Sequence, residues 1–358
     1  MNRPIRVGIL GAAGYGAGEL LRLLTQHPAA QVASLVSSSQ PDAPVAAMHP
    51  HLRGFYDGLR TTAKLDLAAL LDGAHAVVFS ALPHAVSGAA IVAVLSEAKS
   101  RGAGERIRVI DLSGDLRLRD EAMHARHYPD SPPLPERRGA SVYGLPELFR
   151  EQVRAARCVA NPGCLATAAI LAAAPLVVGD AAAVEGAIVI DAKTGSSGSG
   201  RQLKETTHHP TRHADFRAYK PLAHQHEGEI LQAWGDPRGD RLELSFVAQS
   251  MDVSRGIFAT VHLSLRTPSS SDELRQRYAA FYDKCPFVRV VADTPTLQDV
   301  VGSNFCDVSV ACRGRRVIAM AALDNLVKGM AGAAIQNMNL MCGLPETAGL
   351  WSPSLRPV

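Results

Sequence analysis

A glycine-rich turn near the start of the chain constrains the fold more than any other feature. It follows Ile5–Leu10, an apolar run that predicts a strand, and it precedes a helical pattern that continues to Thr25. The glycines of the turn are Gly11, Gly14, Gly16 and Gly18. Such glycines let the backbone approach a pyrophosphate held at the helix N-terminus, although glycines also occur in strand–helix turns for packing alone. The turn predicts a nucleotide-binding fold.

The segments that follow support this interpretation, because strand-like and helical patterns alternate as far as residue 112. Strands are predicted at Val32–Val36, Ala76–Ser80 and Val109–Leu112, and helices near Leu65–Leu71 and Ala89–Lys99. Strands separated by helices at this spacing are typical of βαβ units. We therefore expect a parallel sheet in the first part of the chain.

The pattern changes beyond Cys164. Apolar and polar residues alternate from 242 to 248, and a second run, Ile257–Arg266, follows a glycine-containing turn. Alternation with a period of two in neighbouring runs predicts an antiparallel sheet with one face in water. A final, mainly apolar helix is predicted at Val327–Met341, packed on the first domain.

The composition favours a protein that acts on a small molecule. The chain has 358 residues, enough for two domains, with 47% hydrophobic and 20% charged residues, which excludes a disordered chain. The net charge is only +3, and no cluster of basic residues alternates with aromatic ones, so we expect no nucleic-acid and no membrane partner. The longest apolar stretch, Ala166–Gly179, is shorter than the roughly 20 residues that cross a bilayer.

Two further features suggest a cytoplasmic protein without a metal. The N-terminus enters the first strand pattern without the apolar core of a signal peptide. The six cysteines form no CxxC pair and no set with zinc-ligand spacing. In a reducing compartment we expect them to be free thiols, one of which is a candidate nucleophile.

The end of the second predicted strand bears on the choice of nucleotide. An NAD-specific site usually places an acidic residue there, on the ribose 2′-hydroxyl. This chain has Ser37, Ser38 and Ser39 instead, which favours NADP over NAD, the alternative being a serine-rich loop without a ligand.

Asn161-Pro162-Gly163-Cys164 precedes a strongly helical run. This order places the cysteine at or near a helix N-terminus, where the helix dipole and free backbone N–H groups favour the thiolate. A lone cysteine is more often a small buried hydrophobic residue, but here Asn161, Pro162 and Gly163 fix a tight turn just before the helix. Cys164 is therefore a candidate nucleophile.

A second cluster, between Tyr219 and Ile230, contains two histidines and two carboxylates: His224, His226, Glu227 and Glu229. Histidine and a carboxylate are the usual partners of a cysteine nucleophile. The cluster has no third His or Cys ligand, which disfavours zinc. A spacing of three residues pairs His226 with Glu229 and equally His224 with Glu227, so spacing leaves the catalytic histidine open. Arg117, near the end of a predicted strand, is a candidate for binding a phosphate.

Eight runs along the chain resemble, in order, the motifs of N-acetyl-γ-glutamyl-phosphate reductases. They are Gly11–Tyr15, Ala81–His84, Asp111–Ser113, Val142–Leu148, Asn161–Cys164, Asp191–Gly195, Tyr219–Lys220 with His224 and His226, and Asp324–Gly329. The resemblance spans nearly the whole chain. Wider relatives such as aspartate-semialdehyde dehydrogenase share the cysteine, the histidine and the phosphate arginine, but they lack the Tyr-Gly-Leu-Pro-Glu and Asn-Leu-Val-Lys-Gly runs.

The resemblance implies an α/β fold with a Rossmann-like NADP-binding domain formed by residues 1–163 and 326–358. An inserted α+β domain, residues 164–325, would hold the antiparallel sheet and provide catalysis and oligomer contacts. The implied activity is the NADPH-dependent reduction of a small acyl phosphate in arginine synthesis. The implied assembly is a homodimer or homotetramer.

The resemblance also assigns residues to roles. Cys164 would be the nucleophile, and His226, oriented by Glu229, would transfer the proton. The expected substrate-binding residues are Arg117, Asn161, Lys193, Tyr219 and His224. The expected NADP(H)-binding residues are Gly11, Ala13, Gly14, Tyr15, Gly16, Ser37, Ser38, Leu82, Pro83, Ser196 and Asn325.

Three departures from the family pattern leave alternatives open. Gly228 stands where proline is common, Thr194 where serine is frequent, and Gly16-Ala17 where the first turn has Thr-Gly. Gly228 and Thr194 would leave room for a substrate one methylene longer, as in the aminoadipyl-phosphate reductases of lysine synthesis. A non-catalytic NADP-binding sensor is a further alternative, which the joint presence of Cys164, His226 and Arg117 disfavours.

Overall fold

The computed structural model describes residues 3–179 and 183–357, which form two compact units. The first unit takes in the described residues of Met1–Arg117, Pro129–Pro162 and Met330–Trp351. The second takes in those of Leu118–Tyr128, Gly163–Gly329 and Ser352–Val358. The sequence places its domain boundaries at 163/164 and 325/326, and these boundaries stay a prediction.

The secondary structure of the described residues is numbered along the chain. The strands are β1 (Ile5–Leu10), β2 (Ala30–Val36), β3 (Thr61–Thr62), β4 (His75–Ser80), β5 (Ile107–Asp111), β6 (Val142–Tyr143), β7 (Cys158–Ala160), β8 (Val184–Thr194), β9 (Arg217–Tyr219), β10 (Leu244–Ser250), β11 (Ile257–Ser270), β12 (Val288–Val290) and β13 (Cys306–Leu323). The α-helices are α1 (Tyr15–Leu24), α2 (Val45–Met48), α3 (Leu67–Leu71), α4 (Ser87–Ser100), α5 (Glu121–His127), α6 (Pro135–Ala140), α7 (Pro146–Ala155), α8 (Cys164–Val177), α9 (His209–Arg212), α10 (His226–Ala233), α11 (Ser271–Tyr282) and α12 (Gly332–Met341).

The first unit is built on a seven-stranded sheet with the order β3-β2-β1-β4-β5-β7-β6, in which each neighbouring pair is parallel. Ile9 and Leu10 of β1, whose side chains point to opposite faces of the sheet, are both buried, as expected for a central strand covered on both faces. The predicted parallel sheet is therefore confirmed. Three of its strands, β3, β6 and β7, were not predicted, because two or three residues are too few to show a period.

The second unit contains a six-stranded sheet with the order β12-β13-β11-β8-β10-β9. The two alternating runs, β10 and β11, are not neighbours in this sheet, because both pair with β8, which lies between them. The β8–β10 and β12–β13 pairs are parallel, so the sheet is mixed instead of antiparallel. Alternation shows which face of a strand is buried but not which strand lies beside it.

Helix α8 explains the longest apolar stretch of the chain. Every residue from Leu165 to Val177 is buried, and the helix packs on β8, β11 and β13. A helix that is apolar all round belongs in the interior of a domain. In the part of the chain that the structure describes, no helix has the length and apolar character needed to cross a membrane.

The predicted final helix is divided. Val327–Ala331 forms one turn of π-helix, and α12 begins at Gly332. Helix α12 belongs to the first unit, where it packs against α7, β5 and α1. The expectation that this helix packs on the N-terminal part of the chain is met from Met330 onward.

Candidate active site

Cys164 is the first residue of α8, as the sequence predicts. Gly163 is the N-cap residue, without a side-chain cap, and the first turn contains no acidic residue. The backbone N–H groups at such a helix start, together with the helix dipole, favour a negative charge. The half-buried Cys164 therefore lies where a thiolate is stabilised.

Glu229, on α10, holds the residue that precedes the cysteine. The Gly163 N–H donates a hydrogen bond of 2.9 Å to Glu229 Oε2. The Tyr128 hydroxyl donates a hydrogen bond of 2.6 Å to Glu229 Oε1. Glu229 is 0% exposed, so these donors replace the water that its carboxylate would otherwise bind.

His226 begins α10, and its Nε2 lies 3.8 Å from Glu229 Oε1. The predicted helical turn therefore does place His226 and Glu229 on one face. The imidazole packs directly on Gly163, where an added Cβ would lie 2.6 Å from His226 Cδ2. A Cβ at Gly329 would likewise lie 2.7 Å from Cys164 Cβ, so glycines border the cysteine on two sides.

His224 precedes α10 and has a different environment. Burial, with the nearby His226 and Lys220, lowers the pKa of His224 to about 2. Its Nδ1 accepts a hydrogen bond of 3.2 Å from the His226 N–H, which leaves the ring proton on Nε2 in the neutral form. His224 is therefore a neutral donor at physiological pH. Of the two pairs with a spacing of three residues, His226 and Glu229 lie on the same helix, whereas His224 lies before it.

Tyr219, at the end of β9, lies with this group. Its ring centroid is 5.6 Å from that of His224. Burial, and to a lesser degree the nearby Cys164, raises the pKa of Tyr219. The structure thus brings Cys164, Tyr219, His224, His226 and Glu229 together in the second unit.

Lys193 does not join this group. Its neighbours Ala192 and Thr194 are buried toward α8, whereas Lys193 projects from the opposite face of β8, because side chains alternate along a strand. Its Nζ lies 2.9 Å from Asp191 Oδ1 on that same face. The predicted substrate contact of Lys193 therefore has no support in this unit.

Gly228 does not have the open space beside it that the sequence predicts. A Cβ at Gly228 would lie 2.8 Å from His127 Cδ2 and 3.0 Å from Leu118 Cδ1. The space beside this glycine is therefore filled by α5 and the residues before it, and it does not enlarge a substrate site. Thr194 is buried, with its hydroxyl 3.4 Å from the Gly195 carbonyl oxygen.

The glycine turn of the first unit fits a dinucleotide. Gly11 has φ +80°, and a Cβ there would lie 2.8 Å from the Ala81 carbonyl oxygen, so both the conformation and the close approach require glycine. Helix α1 begins at Tyr15 without an acidic residue in its first turn. Ala13, Gly14 and Gly16 lie in this turn and its helix start, a geometry that suits a pyrophosphate.

The other predicted cofactor residues are divided between the first and the second unit. Ser38 is exposed, whereas Ser37 is buried and its Oγ accepts a hydrogen bond of 3.2 Å from the Gln40 N–H. Leu82 and Pro83 follow β4 and are partly exposed. Ser196 and Asn325 belong to the second unit.

The Asn325 side chain forms hydrogen bonds to two other segments of the second unit. Its Oδ1 accepts a hydrogen bond of 2.8 Å from the Gly256 N–H, and its Nδ2 donates one of 2.9 Å to Ser197 Oγ. The side chain is buried, so these bonds tie three loops of the second unit together. The structure does not favour the predicted cofactor contact of this side chain.

Arg117 and Asn161 are fixed within the first unit. Arg117 Nε and Nη2 donate to the carbonyl oxygens of Asn161 and Leu112, at 2.8 and 2.9 Å. Asn161 is 0% exposed, and its amide group bonds to the Met330 carbonyl oxygen and to Asn337 Nδ2. Asn161 therefore braces the end of β7, and its predicted substrate contact stays a prediction.

Sequence reasoning missed Tyr128 and the contact of Gly329. Tyr128 lies in the N-terminal part of the chain, where no pattern links it to residue 229. Gly329 ends a run quoted only for its resemblance, and its packing on Cys164 depends on the π-helical turn. In the described residues, no group of three or more His, Cys, Asp or Glu side chains is arranged to hold a metal ion, and all six cysteines are free thiols.

A parallel-sheet unit with a nucleotide-binding turn, joined to a unit with a cysteine at a helix start, defines a class of NAD(P)-dependent oxidoreductases. Residues 6–156 match the family model for the semialdehyde dehydrogenase NAD-binding domain, and residues 164–325 match that for the semialdehyde dehydrogenase dimerisation domain. The chain belongs to the semialdehyde dehydrogenase family.

Relatives of known name are similar over the whole chain. A LysW-L-2-aminoadipate/LysW-L-glutamate phosphate reductase of Aeropyrum pernix is 42% identical and is covered over 100% of both chains. The N-acetyl-gamma-glutamyl-phosphate reductase of Symbiobacterium thermophilum is 43% identical over 97% of each chain. The aspartate semialdehyde dehydrogenase II structure from Vibrio cholerae has a TM-score of 0.64 at 16% identity, covers 95% of this chain and 98% of its own, and shares the fold.

Proposed function

We propose that this chain reduces N-acetyl-γ-glutamyl phosphate to N-acetylglutamate semialdehyde with NADPH, as a step of arginine synthesis in the cytoplasm. The observation that carries the proposal is the group around Cys164, in which Glu229 holds the Gly163 N–H and lies 3.8 Å from His226. Relatives named for this activity, at 43% and 39% identity over nearly the whole chain, support the choice of substrate. Free thiols support a reducing compartment.

In the first step, the Cys164 thiolate attacks the acyl carbon and inorganic phosphate leaves with the electron pair of the C–O bond. The product is a thioester on Cys164. The start of α8 stabilises the thiolate before attack, and Gly329 packs against the Cβ atom of Cys164. Arg117, oriented by the main chain, is assigned to the departing phosphate.

In the second step, the thioester carbon is reduced and the cysteine is released. NADPH, when bound, supplies the hydride. The resulting oxyanion takes a proton from His226, whose imidazolium form is stabilised by the Glu229 carboxylate. His226 takes the hydroxyl proton of this thiohemiacetal back as the C–S bond breaks, which frees the aldehyde and regenerates the thiolate. Tyr219 and the neutral His224 are assigned to the substrate as hydrogen-bond donors.

The first unit supports the choice of NADPH over NADH. The exposed Ser38 follows β2, where a carboxylate would repel a 2′-phosphate. The turn at Gly11 and the start of α1 would hold the pyrophosphate.

The second unit supports a homodimer or homotetramer. It matches a model described as a dimerisation domain. Val189, His262 and Ile318 lie side by side on three neighbouring strands, and all three are exposed. Apolar side chains in such a row are expected to be covered by a second copy.

A second candidate is the reduction of an aminoadipyl phosphate or of its glutamyl counterpart on the lysine branch. It is favoured by the relative from Aeropyrum pernix, which matches the chain from end to end. The space beside Gly228 does not favour it, because His127 fills that space.

The test is an assay in the phosphate-dependent direction, in which NADP reduction is followed with each semialdehyde and inorganic phosphate. We expect turnover with N-acetylglutamate semialdehyde to exceed that with the aminoadipate compound. The reverse ranking supports the second candidate. No turnover with either, together with a Cys164 that reacts slowly with a thiol reagent at neutral pH, supports a sensor instead.

A further inference from the structure

Tyr128 joins the catalytic group from a distant part of the sequence. It follows α5 in the segment Leu118–Tyr128, which belongs to the second unit although the chain before and after it belongs to the first. Helix α5 packs against α10, the helix of His226 and Glu229. Tyr128 is 4% exposed, so its hydroxyl is withdrawn from solvent.

The contact of Tyr128 is with the carboxylate that holds the cysteine turn. Its hydroxyl donates to Glu229 Oε1 at 2.6 Å, while Oε2 accepts the Gly163 N–H at 2.9 Å. One donor on each oxygen fixes the plane of the carboxylate. A buried carboxylate that loses a donor must find another or take up a proton.

We propose that Tyr128 is a positioning residue of this centre and acts through Glu229. Its hydroxyl keeps Oε1 occupied, so that the carboxylate remains bound to Gly163 and stays 3.8 Å from His226 Nε2. The kinetic readout of this inference rests on the proposed function, whereas the contact between Tyr128 and Glu229 does not.

Removal of the hydroxyl can change the His226–Glu229 pair in two ways, and both increase the number of protons that the pair binds. Either Glu229 takes up a proton, or Oε1 turns to His226 and stabilises its imidazolium. Both add a proton to the His226–Glu229 pair at a given pH. In the phosphate-dependent direction His226 must be unprotonated to accept a proton from the substrate, so the acid limb of the pH profile of kcat in that direction moves to higher pH.

Other titratable groups face the pair from both sides. From α5, His127 has an electrostatic interaction with Glu229, and burial lowers the pKa of His127. From the segment before α10, His224 lies with its ring centroid 4.6 Å from that of His226, and burial lowers its pKa to about 2. Both histidines are neutral at physiological pH, and Cys164 is already bonded to the substrate when His226 accepts the proton, so the limb reports on the His226–Glu229 pair.

The test compares Tyr128→Phe with Tyr278→Phe. Tyr278 is a matched control, because its hydroxyl is also buried in the second unit and donates to the Ala172 carbonyl oxygen of α8, away from Glu229. We expect Tyr128→Phe to lower kcat by about tenfold with KM within about twofold, and to move the acid limb up by at least about half a pH unit. Tyr278→Phe should lower the melting temperature without moving the limb. An unchanged limb in Tyr128→Phe, or an equal shift in both variants, overturns the proposal.

A double-mutant cycle tests the route through Glu229. In a Glu229→Gln background, Tyr128→Phe should change kcat by less than about twofold, because the group through which it acts is already lost. A further loss equal to that in the wild-type background overturns the proposal.

A readout without substrate separates this inference from the proposed function. The rate of Cys164 alkylation by iodoacetamide is followed against pH by mass spectrometry of its peptide. An added proton on the His226–Glu229 pair favours the nearby thiolate, so the alkylation midpoint of Tyr128→Phe should move to lower pH than in wild type and in Tyr278→Phe. If that shift occurs but no acyl phosphate is reduced, the positioning role stands and the proposed function fails. If acyl phosphate is reduced but neither profile moves, the positioning role fails alone.

Discussion

Helices α1 and α8 begin with the same backbone arrangement in different surroundings. Each has a glycine N-cap in extended conformation, Gly14 with φ −78° and ψ 165° and Gly163 with φ −70° and ψ 143°. Neither has a side-chain cap or an acidic residue in its first turn. Within residues 3–179 and 183–357, a Cβ at Gly14 would meet only the Gly11 carbonyl oxygen, at 3.9 Å, whereas one at Gly163 would clash with His226.

This comparison shows what turns a helix start into a reactive centre. Both helix starts favour an anion through their N–H groups and dipole. Only the start of α8 has a buried carboxylate on its N-cap N–H and an imidazole packed on its N-cap glycine. The start of α1 is suited to a bound phosphate, and the start of α8 places a thiol beside the His226–Glu229 pair.

The largest expected effect comes from Cys164→Ser. It should lower the rate of reduction to less than about a hundredth of wild type, because the covalent route requires the thiolate. The NADPH affinity, measured by calorimetry, should stay within about twofold, because the turn of α1 is unchanged. Turnover above that limit would show that the start of α8 does not supply the nucleophile.

The two histidines provide the next contrast. His226→Asn should lower kcat by roughly 10²–10⁴-fold, as general acid–base loss does, and His224→Asn should chiefly raise KM. Steady-state kinetics of both variants give the answer. The opposite pattern would mean that His224 transfers the proton despite its lowered pKa.

Alanine at the two N-caps tests the comparison directly. Gly163→Ala should lower kcat by more than about tenfold, because the methyl group displaces His226. Gly14→Ala should weaken NADPH binding without changing the rate of Cys164 alkylation. Gly139→Ala is the control, since a Cβ there meets no atom of the described residues within 4 Å. Equal kcat values for Gly163→Ala and Gly139→Ala would remove the steric argument.

His224 predicts a pH dependence of stability. Its pKa is lowered to about 2 in the folded protein, so below about pH 6.5 the unfolded chain binds a proton that the folded chain does not. The free energy of unfolding contributed by this group therefore falls as the pH is lowered, by about 1 to 2 kcal/mol between pH 6.5 and 5. Urea denaturation of wild type and His224→Gln checks this. Parallel curves for the two proteins would contradict it, because the other histidines are common to both.

The smallest expected effect concerns the nucleotide. Wild type should have the higher kcat/KM with NADPH, and Ser38→Asp should lower that value by about tenfold, because a carboxylate repels the 2′-phosphate. Ser38→Asn is the uncharged control of equal size. A wild-type preference for NADH would refute the assignment of the serines.

The sequence alone determined the local features on both sides of this comparison. The strand–glycine–helix order predicts the turn of α1, and Asn-Pro-Gly before an apolar helical run predicts a cysteine at the start of α8. The three-residue spacing of His226 and Glu229 predicts one helical face. Such features depend on neighbouring residues, and the periods of 3.6 and 2 record them in the sequence.

Tertiary structure decided which distant residues meet. Alternation in β10 and β11 gave their buried faces but not β8 between them, and it could not show that Lys193 lies on the face away from α8. Tyr128 donates a hydrogen bond to Glu229, which is 101 positions away in the sequence, and Asn161 accepts one from the distant Asn337. Contacts of this kind arise when packed elements bury polar groups that must find partners, and no local period of the sequence records which partners those are.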